Sequence, residues 1–303
     1  MIERISKLTD MLNNKIKLNK YGYYEVTDKP SSAELQDYYS KKYYQVNSVQ
    51  YTQDYTDEEL TYMLNGLAQK YHVLQNKLGK RGDIRFLDLG CGEGWSLNYF
   101  SSVGWDVLGL DFSEHGIKTH NPDMLENFIP GDIYDNLNNL ISENQKFDII
   151  LMDNVLEHVL NPEILLVNIQ KTLKDDGILI IEVPNDYSKL HQYLFQEKHI
   201  DKEFWIALPD HLSYFNLPGL EQLCNDKGLS LLYSLCDYPI DLHLLNPNTN
   251  YVMDKSKGPS CHKTRVELEN FLTSISIEKT VELYHTLSEM ELGRNIISFF
   301  KKI

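Results

Sequence analysis

The sequence predicts an α/β protein built on a mostly parallel sheet with crossover helices on both faces. Short apolar runs recur at residues 86–89, 107–110, 147–152, 178–183 and 229–235, and helical patterns, notably 162–173 and 217–227, lie between them. Alternation at this spacing reads as βαβ units. The chain has 303 residues, of which 42% are hydrophobic and 24% charged, so it is an ordinary globular sequence able to bury a large core.

The elements follow in order. Of 20 tyrosines, 11 fall in residues 1–71, and residues 1–59 read as a Tyr-rich cap of short elements with a turn at Lys29-Pro30-Ser31. Thr56-Asp57-Glu58-Glu59 has the form of a capping box. Behind it Leu60, Met63, Leu64, Leu67, Ala68, Tyr71, Leu74 and Leu78 repeat at helical spacing up to Gly79. The alternating core spans 60–236. Residues 237–293 read as a mostly helical insertion, with helices over 267–274 and 278–292, and 294–303 as a strand returning to the sheet as its antiparallel edge.

Charge and cysteine usage narrow the function classes. Twenty-nine basic against 44 acidic residues leave a net charge of −15, which argues against sequence-independent binding to nucleic acid or to an anionic membrane surface. No apolar run approaches the roughly 18 residues of a membrane span, and MIERISKLTDMLNNKIKL lacks an uninterrupted signal-peptide core. Cys91, Cys224, Cys236 and Cys261 form no CxxC pair, which fits a reduced cytoplasmic protein and argues against a cysteine zinc site. No His/Asp/Glu spacing has the form of a ligand set either, so no metal is expected.

The chemistry is concentrated at predicted strand ends. Phe86-Leu87-Asp88-Leu89-Gly90-Cys91-Gly92-Glu93-Gly94 is a buried strand running into a D-x-G-x-G-x-G turn, where glycines allow a sharp turn and close approach to a ligand. Asp111 ends the next strand, placed to accept hydrogen bonds from two ribose hydroxyls, and Phe112 follows it. Gly131-Asp132-Ile133 puts an acid near the third strand, in reach of an adenine amino group. The competing structural readings are a plain βα turn for the glycines, a helix N-cap for Asp111 and a solvated side chain for Asp132.

Together LDLGCGEG, LGLDFS, GDI, FDIILMDNVLEHV and GILIIEVPN resemble the ordered motifs of class I S-adenosylmethionine-dependent methyltransferases, over residues 60–235. That resemblance implies a seven-stranded Rossmann-like sheet with S-adenosyl-L-methionine across the carboxyl ends of its strands and S-adenosyl-L-homocysteine as product. It also implies roles. Asp88, Gly90, Cys91, Gly92 and Gly94 hold the methionine moiety, Asp111 and Phe112 the ribose side, Asp132 and Ile133 the adenine. Asp153 and Asn154 line the methyl-donor pocket, and Glu157 and His158 face cofactor or substrate. Nicotinamide oxidoreductases share the first two motifs but not LEHV.

A second segment, Leu208-Pro209-Asp210-His211-Leu212-Ser213-Tyr214-Phe215, resembles the histidine loop of sugar and quinone methyltransferases. That makes His211 the expected base, oriented by Asp210, with His158 as the alternative and a structural hydrogen bond as the bland reading. Asp210 stands where Glu is more usual, and the cysteine cluster of deoxysugar C-methyltransferases is absent, which favours an O- or N-acceptor. Candidate acceptor contacts are Tyr38, Tyr39 and Tyr43 of the cap, Asn185 and Asp186 after the fifth strand, and Lys263 and Arg265 in a basic stretch that also holds Lys255 and Lys257. The stretch suits an anionic acceptor, unless it is a solvated loop.

The leading expectation is therefore methyl transfer to a hydroxyl of a small polar acceptor, a sugar or a nucleotide- or phosphate-linked metabolite of surface-glycan biosynthesis. The alternatives are an N- or C-methyltransferase of another small metabolite (quinone-type), and a catalytically silent cofactor-binding partner subunit. No nucleic-acid partner and no membrane insertion are expected, and the oligomeric state stays open.

Overall fold

A computed structural model describes residues 15–31, 34, 55–80 and 82–303. Its main sheet has seven strands: β3 (Arg85–Leu89), β4 (Asp106–Asp111), β5 (Phe128–Pro130), β6 (Phe147–Asp153), β7 (Leu173–Pro184), β9 (Leu229–Cys236) and β10 (Asn295–Lys302). Their order is β5-β4-β3-β6-β7-β10-β9, parallel except that β10 runs antiparallel to both neighbours. The strands read as continuous apolar runs because both faces are covered. Leu87, Leu89, Ile150, Met152, Leu179 and Ile181 pack on one side, while Phe86, Ile149, Leu151, Ile178 and Ile180 pack on the other.

The terminal run is not an edge strand. β10 lies between β7 and β9, with Phe299 paired to Ile180 on one side and Tyr233 on the other. The five residues Ile296–Phe300 are all buried, as a strand covered on both faces and paired on both sides requires. β9 takes the edge instead.

The helices are α1 (Asp57–His72), α2 (Trp95–Ser102), α3 (His115–His120), α4 (Ile133–Ser142), α5 (Pro162–Thr172), α6 (Lys189–Gln196), α7 (Leu217–Asp226), α8 (Gly258–Ile275) and α9 (Ile277–Glu289). Leu137, Leu165, Leu166, Ile169, Leu220 and Leu223 place α4, α5 and α7 on one face; Leu67, Leu97, Phe100, Val281 and Tyr284 place α1, α2 and α9 on the other. Thr56 and Glu59 form the capping box of α1, whose helical path continues through a wider turn at Val73–Lys77. The helix expected over 267–274 begins earlier, at Gly258, because Pro259 occupies the first turn, where a missing N–H costs nothing.

Before α1, β1 (Ile16–Leu18) and β2 (Tyr24–Val26) form a three-stranded antiparallel sheet with β8 (Ser213–Tyr214) of the histidine loop. Tyr21 and Tyr23 are buried in the core, and the Tyr21 hydroxyl bonds Glu163 and Asp226. Tyr38, Tyr39 and Tyr43 lie outside the described residues. All four cysteines are free and buried, and among the described residues no helix is long and apolar enough to cross a membrane.

The interior position of β10 is measurable. Phe299→Ala is expected to lower the unfolding free energy by about 3–5 kcal/mol in urea denaturation, the range for a fully buried phenylalanine.

Candidate functional site

The carboxyl ends of β3, β4 and β6 converge on one side of the sheet. The glycine turn leaves β3 with Gly90 N–H and Cys91 N–H both donating to the Leu110 carbonyl. Gly94 starts α2 at φ +79°, and a Cβ there would meet Ile117 Cγ1 at 2.9 Å. Asp111 caps the tip of β4: its two carboxylate oxygens accept from Gly92 N–H (2.9 Å) and Ser113 N–H (3.0 Å). A carboxylate offers about four lone-pair positions, so each oxygen retains one for a ligand. Gly131 N–H donates to the Asp111 carbonyl, bringing Asp132 alongside. Asp132 is the N-cap of α4, with Oδ1 accepting from Tyr134 N–H and Asp135 N–H, while Phe112 and Ile133 are half-buried beside it.

A cavity of about 450 Å³ opens at the turn, lined among others by Asp88, Gly90, Cys91, Trp95, Asp153, Asn154 and, from α1 and α8, Tyr62 and Arg265. Asp88 is buried; its Oδ2 takes the Ser96 hydroxyl and its Oδ1 has no hydrogen-bond partner among the described residues. Burial pushes the Asp88 carboxyl up to about 7. Beside it the Lys70 ammonium lies 2.7 Å from Glu182 Oε2 and 3.5 Å from Asp153 Oδ2. Burial pulls Lys70 down, but the charges of Glu182 and Asp153 outweigh it and hold Lys70 above the ordinary lysine range. Deeper in, burial pushes Asp237 up to about 8 and Glu269 up to about 7. With Asp88, Asp153, Glu182, Asp237 and Glu269 against Lys70 and Arg265, the lining favours a cationic occupant.

A second polar group adjoins the end of β6. Asn154, in the left-handed region at φ +52°, turns the chain out of the strand, and the turn that follows carries Glu157 and His158. Leu212 N–H and Ser213 N–H both donate to the Glu157 carbonyl, which docks the histidine loop on this turn. His158 Nδ1 donates to the main-chain carbonyl of Asp210 (2.8 Å), and the His158 and His211 rings meet edge-on at 4.9 Å. Donor atoms of Glu157, His158 and His211 lie within 4.8 Å of one another. The fold thus brings together three side chains from two segments that are distant in the sequence.

Comparison with known proteins shows the family. A family model described as "Methyltransferase domain" matches residues 60–234. The chain belongs to the methyltransferase-domain family. It is 27% identical over 126 residues to the "Ubiquinone biosynthesis O-methyltransferase" of Bradyrhizobium diazoefficiens (42% of this chain, 50% of that protein). It is 32% identical over 108 residues to the Maricaulis maris protein of the same name (35% and 42%). The chain therefore spans about half the length or less of these curated relatives. A solved "SAM dependent methyltransferase" from Archaeoglobus fulgidus aligns at 20% identity and TM-score 0.46, covering 78% of this chain and 94% of that one.

Several expected acceptor contacts stand elsewhere in this methyltransferase-domain chain. Asn185 spends its amide on the Glu291 and Gly293 carbonyls, and Asp186 is buried against Arg294 at 3.2 Å. Each has one polar atom engaged within the fold, while Asn185 Oδ1 and Asp186 Oδ2 have no hydrogen-bond partner among the described residues. Lys263 and Arg265, two residues apart on α8, point to different faces: Lys263 is exposed beside Glu267, whereas Arg265 lines the cavity and bonds His262. The basic stretch therefore does not converge. Asp210 reaches His158 through its main-chain carbonyl.

Lys70, Glu182, Asp237 and Glu269 went unnoticed in the sequence. A signal existed for two of them, since Lys70 stands on the apolar stripe of α1, three residues after Leu67, and Glu182 interrupts the run ILIIEVP.

Two outcomes are expected. Lys70→Met strands Glu182 and Asp153 and should cost about 3–5 kcal/mol of stability, with part recovered in the Lys70→Met/Glu182→Gln double variant, measured by chemical denaturation. Asp88 holds its proton more tightly folded than unfolded, so its contribution is present below about pH 4 and lost as pH rises through about 7. Asp88→Asn should therefore gain in melting temperature over the parent at pH 8 and lose that gain at pH 4.

Proposed function

We propose that the protein transfers a methyl group from S-adenosylmethionine to a hydroxyl of a small polar acceptor. The observation that carries this reading is the run Asp153–His158, which leaves β6 at the Asp88 cavity and ends five residues on at the imidazole pair. A donor pocket and a proton-accepting group thus adjoin.

The residues present suit the donor. The orphan Asp88 Oδ1 matches an ammonium group, and the acid-rich lining matches a sulfonium cation. Gly92 leaves open space beside the turn, whereas the Cβ directions of Gly90 and Gly94 are filled by Val155 and Ile117. Asp111 retains lone pairs for ribose hydroxyls, with Phe112, Asp132 and Ile133 on the adenine side and Cys91, Gly92, Asp153 and Asn154 around the methionine end. When bound, S-adenosylmethionine supplies an electrophilic methyl group that needs no activation by the protein. The protein's work is then to hold the acceptor in line, exclude water and receive the hydroxyl proton. That proton is lost at the group formed by Glu157, His158 and His211. Because Nδ1–H of His158 is committed to a carbonyl, its Nε2 is the lone-pair nitrogen.

Support for oxygen as the methylated atom comes from the O-methyltransferase names of the relatives. Those names also favour a quinone-type phenolic acceptor as the second reading beside the sugar hydroxyl suggested by the histidine loop.

Calorimetric titration with S-adenosylmethionine and S-adenosylhomocysteine is expected to give micromolar binding that collapses in Asp111→Ala. With labelled donor and a panel of phenolic and nucleotide-sugar acceptors, His211→Ala should abolish transfer while leaving homocysteine-product affinity within about twofold. Absence of binding of either ligand would overturn the reading, and normal turnover by His211→Ala would remove that residue from the proton step.

A further inference from the structure

The cavity extends well past the place of the donor. Lys70 and Tyr62, both in its lining, are separated by about 12 Å along the axis of α1. Asp88 and Asp153, matched above to the methionine end of the donor, lie at the Lys70 end. Asp111, Phe112, Asp132 and Ile133 take no part in the lining, so the adenosine half of the donor lies outside this space. The Tyr62 end is walled by Asp237, which follows β9, and by Arg265 and Glu269 of α8. The Arg265 guanidinium lies over the Tyr62 ring (5.4 Å) and bonds His262 Nδ1 (2.9 Å), and its Nε has no hydrogen-bond partner among the described residues. Asp237 accepts Asn295 N–H (2.7 Å) and Glu269 accepts Tyr238 N–H (2.9 Å), each through one oxygen.

Charge restricts what fills this end. Asp88, Asp153, Glu182, Asp237 and Glu269 line the cavity against Lys70 and Arg265. Lys70 is spent on Glu182 and Asp153, and Arg265 makes no ion pair with a carboxyl among the described residues. The methionine end of the donor, with sulfonium, ammonium and carboxylate, adds a single net positive charge beside Asp88. Asp237 and Glu269 are then left without a counter-charge. Burial raises Asp237 to about 8 and Glu269 to about 7, with neighbouring acids adding to it. At pH 8 Glu269 is therefore mostly carboxylate and Asp237 about half so. An anionic acceptor is repelled at this end, whereas a cationic one relieves both acids.

We propose that the Tyr62 end of the cavity is a subsite for an ammonium group, and that the acceptor of methyl transfer is a small molecule carrying a basic amine held by Asp237 and Glu269. The amine is the anchor: its N–H groups donate to the carboxyl oxygens that the main chain leaves free, as charge-assisted hydrogen bonds. The hydroxyl to be methylated is thereby carried toward the donor end. This acceptor class rests on the transfer reading above; the ammonium subsite itself does not.

The test uses the full chain at pH 8 in saturating S-adenosylhomocysteine, which keeps the probe from the Asp88 end. Ligand-observed nuclear magnetic resonance compares n-butylamine, a cation at that pH, with n-butanol, its neutral counterpart. The parent is expected to bind the amine at least about tenfold more tightly than the alcohol. Asp237→Asn and Glu269→Gln keep the main-chain hydrogen bonds and should each weaken amine binding by about tenfold or more, as loss of a buried charge partner does. The exposed variant Glu126→Gln should change nothing. Thermal melting confirms that each variant is folded. Absence of a preference for the amine in the parent, or unchanged amine binding in both folded variants, would overturn the subsite. Binding of the homocysteine product with transfer to an uncharged acceptor would in that case leave the transferase reading standing. Amine binding that depends on Asp237 and Glu269, in a chain that binds neither donor nor product, would overturn the transferase reading and keep the subsite.

Discussion

The Lys70 ammonium ties the molecule together. It stands on α1, reaches Glu182 in β7 and Asp153 at the end of β6, and is almost wholly buried. Glu182 in turn accepts from the Asn295 amide of β10 (2.9 Å), and Asn295 N–H donates to Asp237 after β9 (2.7 Å). One chain of charged and polar contacts thus joins the covering helix to four strands. Removing a partner leaves a buried charge unpaired, while the intact set sets the position of α1 over the strand ends. The cavity exists because α1 and α8 are held at that height.

That arrangement explains the electrostatics. Strands approaching in parallel bring their carboxyl-end loops together, and those loops carry Asp88, Asp111 and Asp153. Burial raises several of these acids, and a cationic ligand relieves them more than a neutral one.

At the other end of the site, the small sheet β1-β2-β8 connects the N-terminal segment to the histidine loop. β8 follows His211 directly and pairs with β2, whose Val26 N–H donates to the Leu212 carbonyl. The imidazole pair is thereby held from both sides, by the N-terminal segment and by the Glu157 carbonyl. Paired backbone of this kind holds side chains more precisely than a free loop does.

What was legible in the sequence by itself was everything local. Apolar runs marked β3, β4, β6, β7 and β9 because strands covered on both faces are apolar throughout. The capping box marked α1, and the ordered motifs marked the family and the turn at Asp88–Gly94. Pairing and convergence were decided only by the tertiary structure. Nothing local in residues 295–302 tells whether the strand has one neighbour or two, since that depends on β9, more than 50 residues earlier. Lys263 and Arg265 read as one basic patch until α8 turned them apart. Glu157 and His158 met His211 across 53 residues because two main-chain hydrogen bonds close that loop. Local pattern follows from residue types a few positions apart, whereas a site depends on where distant backbone bonds bring side chains.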